Sequence, residues 1–142
     1  MAREKVYFSL GSNLGDRKAL LKEALKRMDE AFGTPYSALS SLIETPAWGF
    51  EGQPFINCAV MYELDSDPFV VLGQVKAIER AMGRSGSAEY DSAGRRIYHD
   101  RPIDIDILYY GERNIETPEL RIPHPLIGER DFVKIPLAEI KA

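Results

Sequence analysis

The order of hydrophobic periodicities along this chain predicts an α+β fold, β-α-β-β-α-β, closing as a ferredoxin-like antiparallel sheet. Two helices would pack on one face of that sheet, followed by a C-terminal extension. Three observations predict it. Two segments carry helical periodicity between capping residues. Two strand-like runs lie between them, separated by a loop rich in Pro and Gly. A last strand-like run follows the second helix. With 142 residues, 44% of them hydrophobic, the chain fits one domain over residues 1–142 with a core of ordinary size.

Val6 to Leu10 reads as a short strand stopped by Gly11-Ser12-Asn13-Leu14-Gly15-Asp16, with Asp16 as a helix N-cap. That Gly-containing run is not a phosphate loop, because no Gly-Lys-Ser/Thr follows it; a tight turn and a cap are its expected roles. Leu20, Leu21, Ala24, Leu25, Met28, Ala31 and Phe32 then recur at helical spacing, and Gly33 and Pro35 end the helix. Tyr36 to Glu44 reads as one strand, and Thr45 to Pro54 as a loop. In the strand Phe55 to Leu64, alternation sends Phe55, Asn57, Ala59, Met61 and Glu63 one way and Ile56, Cys58, Val60, Tyr62 and Leu64 the other. Asp67-Pro68 starts a second helix along Val71, Leu72, Val75, Ile78 and Met82, closed by Gly83. Arg84 to Asp100 has no period and reads as a long functional loop. Ile103 to Tyr110 is a strand turned at Gly111. The tail, with Pro118, Pro123, Pro125 and Pro136, reads as mostly irregular with short helical pieces.

Composition narrows the function. A net charge of −4 argues against a general nucleic-acid binder, which needs a basic surface. Arg80, Arg84, Arg95, Arg96 and Arg101 nevertheless cluster, which suits either a small phosphorylated ligand or a solvated basic loop. No apolar run is long enough to span a bilayer, and the short run after the N-terminus is no signal peptide. The single cysteine, Cys58, has no internal disulfide partner, which suits the cytoplasm.

The most informative segment is Asp100-Arg101-Pro102-Ile103-Asp104-Ile105-Asp106-Ile107-Leu108. Alternation places Asp104 and Asp106 on one face and the isoleucines on the other. Two such carboxylates repel, and a divalent cation turns the repulsion into attraction; magnesium takes one or two carboxylates together with substrate phosphates. The other reading is an ordinary strand with a polar face. Glu79 lies on the edge of the second helix's apolar stripe, either meeting a polar ligand or reaching solvent. His124 is held between Pro123 and Pro125, as a ligand or a structural residue. Trp48, Phe50, Phe55 and Asn57 could hold a flat heterocycle or simply pin a surface loop.

In order along the chain, Gly11 to Asp16, Glu44-Thr45-Pro46, Phe55-Ile56-Asn57, Ile78-Glu79 to Gly83-Arg84, Arg101 to Leu108, Ile122-Pro123-His124-Pro125 and Glu129-Arg130-Asp131-Phe132-Val133 form a set that resembles the 6-hydroxymethyl-7,8-dihydropterin pyrophosphokinase family. The resemblance runs from about Val6 to Ile140. It implies transfer of diphosphate from ATP to the pterin hydroxymethyl group, leaving AMP, in folate biosynthesis. It implies two Mg²⁺ ions on Asp104 and Asp106, with Asp104 placed to accept the hydroxyl proton. Arg84 and Arg101 would stabilise the transferring group, and Glu79, Ile107, His124 and Arg130 would join them around ATP. Thr45, Pro46 and Trp48 would present backbone to the pterin, Asn57 would bind its ring edge, and Phe55 and Phe132 would sandwich the ring. A monomer acting on small molecules is expected, with no nucleic acid and no membrane. The chain departs from the family pattern at Tyr98-His99-Asp100, where Trp-Gly-Pro is usual, at Gly86, where a second arginine is often found, and at Pro125, often a tyrosine. On the residues alone, a different metal-dependent transferase and a non-catalytic binding module are the rivals.

Overall fold

The computed structural model describes residues 3–13, 16–45, 54–83, 89–90, 96–97, 103–125, 127–129 and 131–141. Strands β1 (Glu4–Ser12), β2 (Ala38–Leu39), β3 (Ile43–Thr45), β4 (Phe55–Leu64) and β7 (Asp104–Tyr110) form one sheet. Helix α1 (Arg17–Phe32) follows β1, and α2 (Pro68–Ala81) follows β4. Two small ladders stand apart, β5 (Glu89–Tyr90) with β6 (Arg96–Ile97) and β8 (Ile115–Glu116) with β9 (Arg121–Ile122). A last helix, α3, spans Asp131–Ile140. In the sheet β2 and β3 pair with β4, β4 with β1, and β1 with β7, all antiparallel.

The helices start and stop for local reasons. Asp16 caps α1 by accepting from the Ala19 N–H at 3.1 Å, and Gly33 ends it at φ 71°, a left-handed conformation that favours glycine. Asp67 accepts from the Phe69 N–H at 2.8 Å, and Pro68 takes the first turn of α2, where a missing N–H costs nothing. Both helices lie on one face. Leu21, Ala24, Leu25 and Met28 of α1 and Val71, Val75 and Ile78 of α2 bury Val6, Phe8 and Leu10 of β1. They also bury Ile56, Cys58, Val60, Tyr62 and Leu64 of β4, and Ile103, Ile105 and Ile107 at the start of β7. The predicted alternation of β4 and β7 is therefore realised. Fully burying each of these side chains contributes about 1.5–3 kcal/mol.

The opposite face is covered by α3, which packs Val133 and Leu137 on Tyr7, Ala59, Met61 and Leu108. Here the structure departs from the expected irregular tail. Pro136 removes one intrahelical N–H, but Val133, Leu137 and Ile140 fall at helical spacing and their burial outweighs that loss. A second departure is at residues 36–44, read as one strand and found as two. Ser40 breaks it: its hydroxyl accepts from the Ala59 N–H at 2.8 Å while Ser41 turns out to Glu139 of α3. A third is β1, which runs on through Gly11 and Ser12 instead of turning there. The fourth is a bulge in β7. Phe8 faces Ile107 and Tyr7 faces Tyr109, so Leu108 is the extra residue, and past it Tyr110 returns to the α1/α2 face. Of the long segment 84–100, β5 and β6 are described, and they pair; the long functional loop expected there lies otherwise outside the described residues. Among the described residues no helix is long and apolar enough to cross a membrane.

Candidate active site

Toward the C-terminal end of β1, the face that carries α3 changes character. Ala59 opposes Ser9, and Ser9 opposes Asp106; one pair further on, Asn57 opposes Gly11, and Gly11 opposes Asp104. Directly paired residues share a face, so the amide of Asn57 and the carboxylate of Asp104 stand on the same side, two strand spacings apart, about 10 Å. Asp104 and Asp106 are two residues apart along β7, about 7 Å between Cα atoms. Asn57 is 3% exposed, whereas both aspartates are partly open to solvent. Phe55 lies at the same end, half-buried, opposite Thr45 of β3.

The outer edge of β7 is fixed from two sides. Glu79 of α2 is 4% exposed and its carboxylate accepts from the Ile105 N–H at 2.9 Å. The His124 N–H donates to the Leu108 carbonyl at 3.0 Å, so the Ile122–His124 run is tied to β7 beside the bulge. Of the two readings left open for Glu79, the solvent-reaching one falls away: the side chain is buried, and its carboxylate meets the backbone of the strand that carries the aspartates. Between α2, β7 and the β8–β9 hairpin lies a cleft of about 260 Å³. Leu72 and Lys76 line one wall, Ile107 and Asp106 the floor, and Arg121 and His124 the other wall. Asp106 thus borders the cleft while sharing a face with Asp104 and Asn57.

The donors suit magnesium. Asp104 and Asp106 offer hard oxygen ligands, and among the described residues no group of three or more His, Cys, Asp or Glu could hold a metal ion. A two-carboxylate site completed by ligand oxygens is the magnesium pattern, unlike the nitrogen- and sulfur-rich sets of zinc.

Not every expected site residue can be placed. Arg84, Arg101, Arg130, Pro46 and Trp48 lie outside the described residues, as do the side chains of Thr45 and Phe132. Thr45 ends β3 and Phe132 lies in the first turn of α3. Asp104, Asp106, Asn57 and Phe55 converge on one end of the sheet; His124 and Ile107 line the cleft, and Glu79 holds the adjoining strand edge.

Three features escaped the sequence. Lys76 and Arg121 line the cleft although neither stands in a motif. Arg17 links the two described residues Glu44 and Pro54, donating to the Pro54 carbonyl at 2.7 Å and pairing with Glu44 at 3.4 Å. Gly11 had a signal that could have found it: a glycine continuing a strand pattern often marks a close approach of other groups.

The chain matches, over residues 7–142, the family described as 7,8-dihydro-6-hydroxymethylpterin-pyrophosphokinase (HPPK). A protein of Porphyromonas gingivalis named 2-amino-4-hydroxy-6-hydroxymethyldihydropteridine pyrophosphokinase is 43% identical over 137 residues, which cover 95% of this chain and 89% of that one. One of the same name from Bacillus subtilis is 37% identical over 135 residues, 94% of this chain and 76% of the relative. Among solved structures, one titled "Crystal Structure Analysis of the HPPK-DHPS in complex with substrates" matches with a TM-score of 0.68 at 15% identity. That match covers 97% of this chain and 40% of the other, and at this identity it speaks for the fold.

Proposed function

The chain belongs to the 7,8-dihydro-6-hydroxymethylpterin-pyrophosphokinase family, and on that premise we propose how its residues divide the work of the reaction. The enzyme transfers diphosphate from ATP to 6-hydroxymethyl-7,8-dihydropterin in folate biosynthesis. The hydroxymethyl oxygen bonds to the β-phosphorus, the bond from that phosphorus to the oxygen bridging the α-phosphate breaks, AMP leaves and the hydroxyl proton is released.

One observation carries the assignment of roles: Asp106 borders the cleft while Asp104 shares a row with Gly11 and Asn57. ATP occupies the cleft. Its adenosine lies toward Ile107, and His124, Lys76 and Arg121 supply positive or hydrogen-bonding groups along the walls. Strand alternation that sends the Ile105 N–H away from β1 sends that of Ile107 the same way, where a base edge could use it. The pterin lies over the polar end of the sheet. Asn57 reads its ring edge, Phe55 and Phe132 hold its faces, and Thr45, Pro46 and Trp48 close over it. The aspartates stand between the two substrates. They would hold two magnesium ions, whose chemistry is to neutralise the phosphate charge and align the β-phosphorus with the hydroxyl. Asp104, on the pterin side, accepts the hydroxyl proton. Arg84, Arg101 and Arg130 stabilise charge on the transferring group. Glu79 contributes from behind, by fixing the Ile105 backbone between the two aspartates.

The strand order β2/β3, β4, β1, β7 with every pair antiparallel supports the ferredoxin-like reading of this frame. A single domain, a monomer and a cytoplasmic setting belong to the same proposal. Separation of the nucleotides after incubation with ATP, magnesium and the reduced pterin tests the assignment. AMP formed only when pterin is present is the expected result; ADP as the nucleotide product, or no pterin-dependent turnover, overturns it.

A further inference from the structure

We propose that Gly11 is a positioning residue for the pterin, setting the orientation of the Asn57 amide by carrying no side chain of its own; the inference rests on the pterin reading of Asn57. Gly11 sits in the middle strand of the row Asn57–Gly11–Asp104. It has no left-handed backbone, since among the described residues the positive-φ glycines are Gly33, Gly83 and Gly111. Conformational freedom therefore does not explain it, and space does. A Cβ placed on Gly11 would stand 2.5 Å from the Asn57 Oδ1 and 3.5 Å from the Phe55 ring. The first distance is far inside van der Waals contact, so the amide lies across β1 in the space a side chain would fill.

Asn57 has few ways to yield. It is 3% exposed, and its strand neighbours Ile56 and Cys58 are anchored in the core on the other face. A methyl at position 11 therefore acts on the amide before it acts on the strand, turning Oδ1 and its NH₂ group away from their line. Gly11 thus sets the reading of the ring without touching phosphate.

The test compares Gly11→Ala, Asn57→Ala and the double variant with the wild-type enzyme. Steady-state kinetics give KM for pterin and for ATP, and calorimetry gives pterin affinity. The expected result for Gly11→Ala is a pterin KM raised about tenfold or more with an ATP KM within about twofold. Adding Gly11→Ala to Asn57→Ala should then cost little more, because the group it displaces is already gone. An unchanged pterin KM in Gly11→Ala overturns the proposal. So does an equal loss for both substrates, or a full additional loss in the double variant. Should Gly11→Ala alone fail to fold, recovery of folding in the double variant supports the steric account, and failure there too overturns it. A wild-type enzyme with no pterin-dependent AMP release would instead refute the functional reading beneath it.

Discussion

The two faces of the central sheet are built on opposite terms. On the α1/α2 face, Val6, Phe8, Leu10, Val60, Tyr62 and Ile105 are sealed by two capped helices. On the other face α3 covers Tyr7, Ala59, Met61 and Leu108, and beyond them the apolar pattern gives way to Ser9, Asn57, Asp104 and Asp106. One face holds the fold together; the polar end of the other carries the residues proposed for the site. Each strand contributes to both, because alternate residues point opposite ways, so rigidity on the first face sets geometry on the second.

The sharpest break of this comparison is Asp106→Ala. Turnover should fall at least about 100-fold, as loss of a group stabilising transition-state charge does, while the unfolding free energy stays within about 0.5 kcal/mol of the wild type. A variant that loses stability along with activity would show that the polar end also holds the fold. Leu21→Ala is the converse. It should cost about 3 kcal/mol in urea unfolding and leave kcat of the folded protein close to normal. Smaller still is Arg17→Ala, which breaks the ties to Glu44 and Pro54. The pterin KM should rise about threefold with the ATP KM unchanged, a loss near 0.6 kcal/mol, as for a single exposed tie.

The sealed face also predicts a pH response. Burial, then the hydrogen bond to Asp29, pushes the Tyr62 hydroxyl well above the usual tyrosine range; burial and the Glu4 charge push Tyr110 up to about 12. Burial pushes the Cys58 thiol up to about 12 as well. These groups hold their protons more tightly folded than unfolded. Their stabilisation is complete below the unfolded values, near pH 8.5–10, and is lost as pH rises toward the folded ones. Unfolding free energy should therefore fall with pH above that range. Tyr62→Phe, which forfeits the 2.6 Å bond to Asp29 and costs about 1 kcal/mol at neutral pH, should make that fall shallower. The smallest effect expected is none: in native protein at pH 8, Cys58 should resist a thiol reagent that labels it fully in denaturant.

Much of this was legible in the sequence, where the signal was local. The caps at Asp16 and Asp67, the alternation of Phe55 to Leu64 and the shared face of Asp104 and Asp106 all follow from neighbours within a few residues. What was not legible depends on distant partners. Arg17 finds Pro54 37 residues away, and Glu79 finds Ile105 26 residues away. Gly11 reads as a turn until its register with Asn57 is known. Pro136 reads as a break until Val133 and Leu137 are seen against β4 and β7. The bulge at Leu108 is invisible to a period of two, and it alone sends Tyr110 back to the sealed face. For the site, the aspartates were readable as a pair, but that Asp106 also borders the cleft was not.

The two borders of the sheet carry a consequence for how the protein behaves in a crowd. Exposed strand edges invite other chains to continue the ladder. Here the β7 border has its Ile105 donor occupied by the Glu79 carboxylate and its Leu108 acceptor by the His124 N–H. The opposite border is cut short, since β2 has two residues and β3 three, with Ser40–Leu42 outside either strand. Among the described residues, neither side offers a long run of open hydrogen bonds. The Glu79 contact that braces β7 also guards its edge, so a substitution that frees the Ile105 N–H would threaten solubility.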